Sequence, residues 1–413
     1  MRQAMRLLAL AGVLVLATAS PSAAERRGPW VSAWSTAVVA AEPDKPPPFP
    51  QGPFVLRQVV RLTAGGPRVR LRLSNAFGTA PLRIDAAHVA LSVAPASAAI
   101  VVGSDRRATF DGRDSVVIPA GAVYLSDPIA LPAKALDRLA VSLQLPAPPS
   151  LATQHRASRT TSYLAAGAAP DAADLPDATK TVQWLQLAGV EVENARVSAI
   201  ATFGDSITDG AGTNVDRDER WPDVLAERLQ ADPRTKGLSV INAGIGGNRL
   251  LTDGNSPNGL ARLDRDVLVH PGVTTLIVLI GVNDIGNLSR EGPVTLEKRQ
   301  AVVQGLIAGY RQVIERAHGL GIRVIGATIL PFGGTKVYRS DADADADRQA
   351  VNKWIRTSGA FDAVIDFDAA TRDPANPSRL KAEYDSGDQL HPSPAGYRAM
   401  AAAIPLPLLA SRK

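Results

Sequence analysis

Val197-Ser198-Ala199-Ile200-Ala201-Thr202-Phe203 runs directly into Gly204-Asp205-Ser206-Ile207-Thr208-Asp209-Gly210. The first seven residues are mostly apolar, the composition of a strand buried on both faces. Glycine, aspartate and serine then end that strand in a turn, and residues 221–229 follow as a helical stretch. The alternation recurs downstream. Residues 238–241 read as a strand, 260–268 as a helix, and 274–280, uniformly apolar and rich in β-branched side chains, as a third strand. A long amphipathic helix covers 296–318, with Gly319 and Gly321 where a helix C-terminus wants them. Residues 322–330, a helix over 345–357, a strand over 363–367 and a helix from Pro394 complete the series. Strand and helix in turn, five times, predict a parallel sheet covered on both faces by helices.

Upstream of residue 193 the texture differs. Arg68-Val69-Arg70-Leu71-Arg72-Leu73 alternates strictly, one face charged and one apolar, as a half-buried strand does. Residues 55–62, 82–93, 114–118 and 139–145 behave similarly, with Gly, Pro, Asn and Asp between them. Short strands at regular spacing predict a β-sandwich of jelly-roll-like kind. The proline-rich stretch 40–53 reads as an extended loop, and 147–180, full of Ala, Pro, Ser, Thr and Asp, as a long crossing loop. Trp184 and residues 187–192 read as one further strand. The 413 residues thus divide into a β-sandwich over 25–192 and an α/β domain over 193–413, two domains being the ordinary expectation at this length.

Residues 1–24 read as a secretory signal peptide. Arg2 and Arg6 open it, an apolar run over 7–17 follows, and Ser22-Ala23-Ala24 offers small residues for cleavage after Ala24. A secreted or periplasmic protein follows from that reading. No other stretch approaches 18 apolar residues, so no stable membrane insertion is expected of the mature chain. The formal charge of +5 is spread along the sequence without a run of Lys and Arg, which argues against nucleic acid as a partner. The absence of cysteine excludes disulfides, thiol catalysis and thiolate metal sites.

Ligands of a doubly covered parallel sheet bind beyond the carboxyl ends of its strands. Four segments bring polar residues to that rim: Gly204 to Gly210, then Asn242-Ala243-Gly244-Ile245-Gly246-Gly247-Asn248, then Gly281-Val282-Asn283-Asp284, and Asp388-Gln389-Leu390-His391-Pro392 before the last helix. Together they meet the needs of acyl transfer. A serine hydroxyl becomes nucleophilic when a neutral imidazole takes its proton, which assigns Ser206 and His391. Of five histidines, His391 is the one expected on the rim with a carboxylate at hand. Asp388, three residues earlier, can hold the far ring nitrogen. An oxyanion hole is available from the amides of Ser206 and Gly247 and the side-chain amide of Asn283. Asp205 and Asp284 read as structural, bonding loop backbone. No cofactor or metal is called for. Asp341 to Asp347 lacks the glycine and glutamate of a calcium loop and reads as an acidic helix start. His88, His155, His270 and His318 show no metal-ligand spacing.

These blocks resemble those of the SGNH, or GDSL-type, hydrolases: Ser206 in the first, Gly247 in the second, Asn283 in the third, His391 with Asp388 in the fourth. The resemblance covers about 197–405. It implies a flavodoxin-like three-layer α/β/α fold and ester hydrolysis through an acyl-enzyme, and it selects Gly247 over Gly246 for the oxyanion hole. The Gly-x-Ser-x-Gly elbow of the α/β-hydrolases is absent. Trp30-Val31-Ser32-Ala33-Trp34, with the Gly-Asp-Ser-Ile-Thr-Asp-Gly block, looks like a two-domain secreted bacterial subgroup linked to plant polysaccharide breakdown. A small-molecule or polysaccharide-borne ester is the expected partner. A carbohydrate O-acetyl esterase is the first reading. Alternatives are a broad-specificity arylesterase or lysophospholipase, an acyltransferase, and a non-catalytic carbohydrate-binding protein. The sequence leaves oligomeric state open.

Overall fold

Five parallel strands make the sheet that carries the rim: β1 (Ser198–Gly204), β2 (Leu238–Gly244), β3 (Val273–Leu279), β4 (Arg323–Ala327) and β5 (Ala363–Ile365). Their order is β2-β1-β3-β4-β5, the flavodoxin-like arrangement, whose ligand crevice opens where the winding reverses between β1 and β3. The structure is a computed structural model that describes residues 29–410 apart from 289, 291 and 339. The leader read over 1–24 lies outside the described residues.

Burial explains why these strands are apolar on both faces. Ile200, Ala201 and Phe203 of β1 and Leu276, Ile277 and Val278 of β3 are all buried, in one cluster with helical side chains. The Leu296–His318 helix contributes Val303, Leu306, Tyr310, Val313 and Ala317 to that core, a spacing of three and four residues that keeps one helical face against the sheet. Helix Ala342–Thr357 adds Val351 and Ile355, and helix Pro394–Ala402 adds Tyr397 and Met400.

Residues 30–193 form an antiparallel, β-rich region. One sheet orders Thr179–Thr181, Ser162–Ala166, Phe54–Arg61, Arg138–Leu145, Ala86–Leu91 and Arg106–Ala108. A second orders Trp30–Ser35, Leu187–Glu193, Val69–Ser74 and Val123–Leu125. Leu56, Val60 and Leu143 of the first share a core with Leu71, Val190 and Val192 of the second, the buried face that alternation anticipates. The stretch read as a crossing loop, 147–180, instead holds three strands, Thr153–His155, Ser162–Ala166 and Thr179–Thr181. Ser162–Ala166 has no alternation because it is covered on both sides; Tyr163 and Leu164, which face opposite ways, are both buried.

The two regions meet along a polar seam. Thr63 Oγ1 donates to Ala33 O (2.8 Å) and accepts from the Val240 amide (3.0 Å). Ser239 Oγ donates to Ser32 O (2.7 Å), and the Ser32 amide donates to Pro271 O (3.0 Å). Ala37 and Val39, from the segment after the first antiparallel strand, pack into the core of the parallel sheet. The hydroxyls of Thr63 and Ser239 and the amides of Ser32 and Val240 are thereby satisfied, as burial of polar groups requires.

Candidate active site

The turn after β1 sets the nucleophile's position. Asp205 caps a four-residue helix, Ser206–Asp209, its carboxylate accepting from the Ile207 amide (3.0 Å). Ser206 is therefore the first helical residue, with its amide pointing out of the helix start and no hydrogen-bond partner for it among the described residues. Ser206 Oγ lies 2.8 Å from His391 Nε2, and His391 Nδ1 lies 2.5 Å from Asp388 Oδ2. Carboxylate oxygen only accepts, so Nδ1 donates to Asp388 and Nε2 is left to accept from the serine hydroxyl. Asp388 Oδ1 also takes the amides of Leu390 (2.9 Å) and His391 (2.8 Å). Partial burial would raise this carboxyl, but the ring and amide donors of His391 and Leu390 outweigh it and hold it well below the usual carboxylate range.

The turn after β2 packs against the Ser206–Asp209 helix through Asp209. Four of its five amides are tied: Gly244 to Asn242 Oδ1 (2.8 Å), Ile245 to Gly204 O (3.2 Å), Gly246 to Asp209 Oδ2 (3.0 Å) and Asn248 to Ile245 O (3.1 Å). Gly247 is the exception; its amide has no partner among the described residues. Its φ of +73° is left-handed, a conformation glycine adopts without cost. Asn283, buried after β3, donates from Nδ2 to Asn248 O (3.0 Å) and accepts from the Tyr338 hydroxyl at Oδ1. An amide nitrogen carries two donors, so one Nδ2 hydrogen of Asn283 remains uncommitted to these contacts. Asp284 bonds backbone, as expected, taking the amides of Leu250 (2.9 Å) and Leu251 (3.0 Å). Burial pushes Asp205 up to about 7 and Asp284 up to about 6.

Residues 202–399 match the model of the GDSL-like lipase/acylhydrolase family. This segment is a GDSL-like lipase/acylhydrolase domain. That family hydrolyses acyl esters, and the matched span contains Ser206, Gly247, Asn283, Asp388 and His391. Solved structures similar to the chain cover about half of it. One is a lipase/acylhydrolase from Enterococcus faecalis, 23% identical over 50% of this chain and 93% of that one, TM-score 0.37. Another is a GDSL-like lipase from Bacteroides thetaiotaomicron, 20% identical over 50% and 85%, TM-score 0.34. A third is a carbohydrate acetylesterase from Sinorhizobium meliloti, 17% identical over 52% and 99%, TM-score 0.40. No curated protein matches the chain.

Four residues around the GDSL-like site escape sequence reasoning. Arg262, fully buried, joins the ends of two strands through Ala243 O and Gly204 O (2.8 Å each) and holds Asn248 Oδ1 (2.9 Å). Burial, partly offset by Asp266, lowers it to about 10. Its signal was the Arg-x-x-x-Asp spacing to Asp266, one helical turn away. Tyr338 comes from a loop with no pattern. Asp209 and His155 are the others. His391 was expected to be the one rim histidine beside a carboxylate; the structure corrects this, placing His155 Nε2 2.8 Å from Asp209 Oδ1. The antiparallel region carries His155 there, a placement no local pattern announces. His88 and His318 pair with Asp105 and Asp362, and His270 meets Ser32. Asp341 caps the Ala342–Thr357 helix, and Asp343 and Asp347 pair with Arg299. Among the described residues no group of three or more His, Asp or Glu could hold a metal.

Proposed function

We propose that this protein is an exported serine esterase that removes acyl groups, acetyl on carbohydrate hydroxyls first among them, through an acyl-Ser206 intermediate. The observation that carries the reading is the unbroken chain from Asp388 through His391 to Ser206, together with the Ser206 and Gly247 amides, which have no partner among the described residues. Ser206 Oγ attacks the ester carbonyl carbon while its proton passes to His391 Nε2. The oxyanion forms among the amides of Ser206 and Gly247 and Asn283 Nδ2. Collapse breaks the bond to the alcohol oxygen, which leaves with the proton from His391. Water then attacks the acyl carbon, gives its proton to His391, and collapse returns that proton to Ser206 as the acid departs. Asp388 holds the ring oriented and balances the imidazolium in both halves.

Carbohydrate as the alcohol part is supported by the polar surroundings of the acid-bearing loop. Thr335 Oγ1 donates to Asp388 O (2.8 Å), and the segment that carries Thr335 borders a hollow lined mainly by polar side chains, Ser340, Asp345, Asn376, Ser378 and Arg379 among them, with Phe332 and Ala342 beside them. Such side chains suit sugar hydroxyls better than lipid chains. The leader over 1–24 would export the chain, leaving an accessory β-sandwich over 25–192 and the hydrolase over 193–413. Among the described residues no helix is long and apolar enough to cross a membrane.

The deciding experiment compares wild type with Ser206→Ala on a chromogenic acetate ester. It then measures release from acetylated xylan, acetylated pectin, a lysophospholipid and a short aryl ester. Ser206→Ala is expected to lower kcat on the order of 10⁶-fold, the scale for losing a triad serine, in a protein that still folds. Retained turnover would overturn the mechanism. Preference for the lysophospholipid would overturn the carbohydrate assignment and leave the acyl-serine chemistry standing.

A further inference from the structure

Asp209 closes the helix that Ser206 opens. Its two carboxylate oxygens serve different masters: Oδ2 accepts from the Gly246 amide (3.0 Å), and Oδ1 lies 2.8 Å from His155 Nε2. His155 belongs to the antiparallel region, at the end of the Thr153–His155 strand. Its other nitrogen, Nδ1, lies 2.8 Å from Ala37 O. A carbonyl oxygen only accepts, so Nδ1 donates there, and one proton must occupy the short contact between Nε2 and Oδ1. The ring is boxed in as well as bonded. Trp184 packs against it at 5.6 Å between centroids, and Trp34 meets Trp184 edge-on at 4.9 Å. Both His155 and Asp209 are buried.

The Gly246 amide is the last tied donor before Gly247, whose amide has no partner among the described residues. A carboxylate turns easily about its terminal torsion, so a bond to one oxygen decides where the other points. With Oδ1 held by His155, Oδ2 is aimed at Gly246 and the following peptide is fixed. We propose that His155 is a positioning residue for the oxyanion hole: it reaches across from the antiparallel region, orients Asp209, and through Gly246 sets the direction of the Gly247 N–H. This rests on the acyl-transfer reading for its effect on rate, but the physical link to the loop is independent of it. The antiparallel region thereby contributes to the active centre, beyond buttressing the parallel sheet from behind.

Two substitutions at one position separate this role from simple strand anchoring. Glutamine places its side-chain nitrogen near the position of Nε2 and can still donate to Asp209. Asparagine reaches only the position of Nδ1 and can still donate to Ala37. On a chromogenic acetate ester His155→Asn is expected to lose about 10²-fold in kcat, the scale of a misplacement near 1 Å, with KM unmoved. His155→Gln is expected to recover most of that loss. The opposite order, with His155→Asn near wild type, is what strand anchoring through Ala37 would produce and would overturn the proposal. Amide hydrogen exchange over residues 244–248 supplies a readout free of turnover. Exchange there should quicken in His155→Asn and not in His155→Gln; equal protection in both overturns the link. If wild type hydrolyses no ester while the exchange contrast persists, the esterase reading fails and the link stands. Should His155→Asn not fold, Asp209→Ala tests the same chain. It removes the acceptor that ties the Gly246 amide and the partner of His155, so kcat should fall with KM unmoved, and wild-type kcat in that variant would likewise overturn the proposal.

Discussion

Tyr338 shows how much a single hydroxyl can decide at the residue scale. It donates to Asn283 Oδ1, which turns the other end of that amide, Nδ2, toward Asn248 O. Burial pushes the phenol up to about 12, so it stays protonated and remains a donor at any pH where the fold is used. Tyr338→Phe keeps the ring and removes the donor, leaving a buried carbonyl oxygen without its bond. A stability loss of about 1–3 kcal/mol follows from such an unmade bond, read by urea unfolding. Loss of orientation should also lower kcat, by less than the roughly 10²–10³-fold that deleting an oxyanion donor costs, with KM unchanged. Unchanged kcat would mean that Asn283 is held by Asn248 alone. Nothing in the sequence around Tyr338 marks it, because its partner lies 55 residues away and is chosen by how the loop closes. Ser206, Gly247, Asn283 and His391 could be singled out for the opposite reason: each sits a few residues from a strand end or a helix start whose pattern is local.

At the scale of elements, the ends of β1 and β2 explain why the nucleophile's turn has glycine on both sides. Gly204 and Gly244 are opposite each other in the parallel register, and the Ser206–Asp209 helix lies across both. A Cβ on Gly204 would stand 2.2 Å from Thr208 Oγ1 and 2.4 Å from Leu279 O; one on Gly244 would stand 2.3 Å from the Asp209 amide. Gly204→Ala must therefore push the helix away from β1 or displace β3. The expected cost is about 1–3 kcal/mol for overpacking, with a fall in kcat because Ser206 moves with the helix. Gly237→Ala is the matched control, since its nearest neighbour would be Arg196 O at 3.7 Å, an ordinary contact. Equal melting temperatures and rates for the two variants would refute the crowding argument. The parallel strands could be read from sequence because burial on both faces leaves an unmistakable apolar run. Thr153–His155 and Thr179–Thr181 could not, being three residues each and held by partners distant in the chain.

At the scale of the molecule, the seam decides whether the two regions unfold separately or together, and His270 reports on it. The ring is buried, with Nδ1 3.1 Å from Ser32 Oγ, beside the Ser32 amide's bond to Pro271. Burial, with Arg72's positive charge adding to it, pulls His270 down to about 3, against about 6.5 for an unfolded chain. Between those values the unfolded protein binds a proton that the native protein refuses. The stabilising contribution of the neutral ring is therefore whole above about pH 6.5 and is lost as pH falls toward 3, at up to about 1.36 kcal/mol per pH unit. Asp205 and Asp284 act in the same range with the opposite sign, since their native values are raised to about 7 and about 6 and the native state there holds the extra protons. A difference between two proteins cancels them. His270→Gln keeps a polar side chain for Ser32 and removes the titration. Relative to wild type it should gain stability steadily from pH 6.5 down to pH 4, measured by urea unfolding at intervals. A gap between the two proteins that stays constant with pH would show that water already reaches the ring in the folded state and that the seam is open there. A difference that moves in favour of His270→Gln with the expected slope as pH falls, in a single transition, would show that the seam stays closed in the folded state and that both regions unfold together.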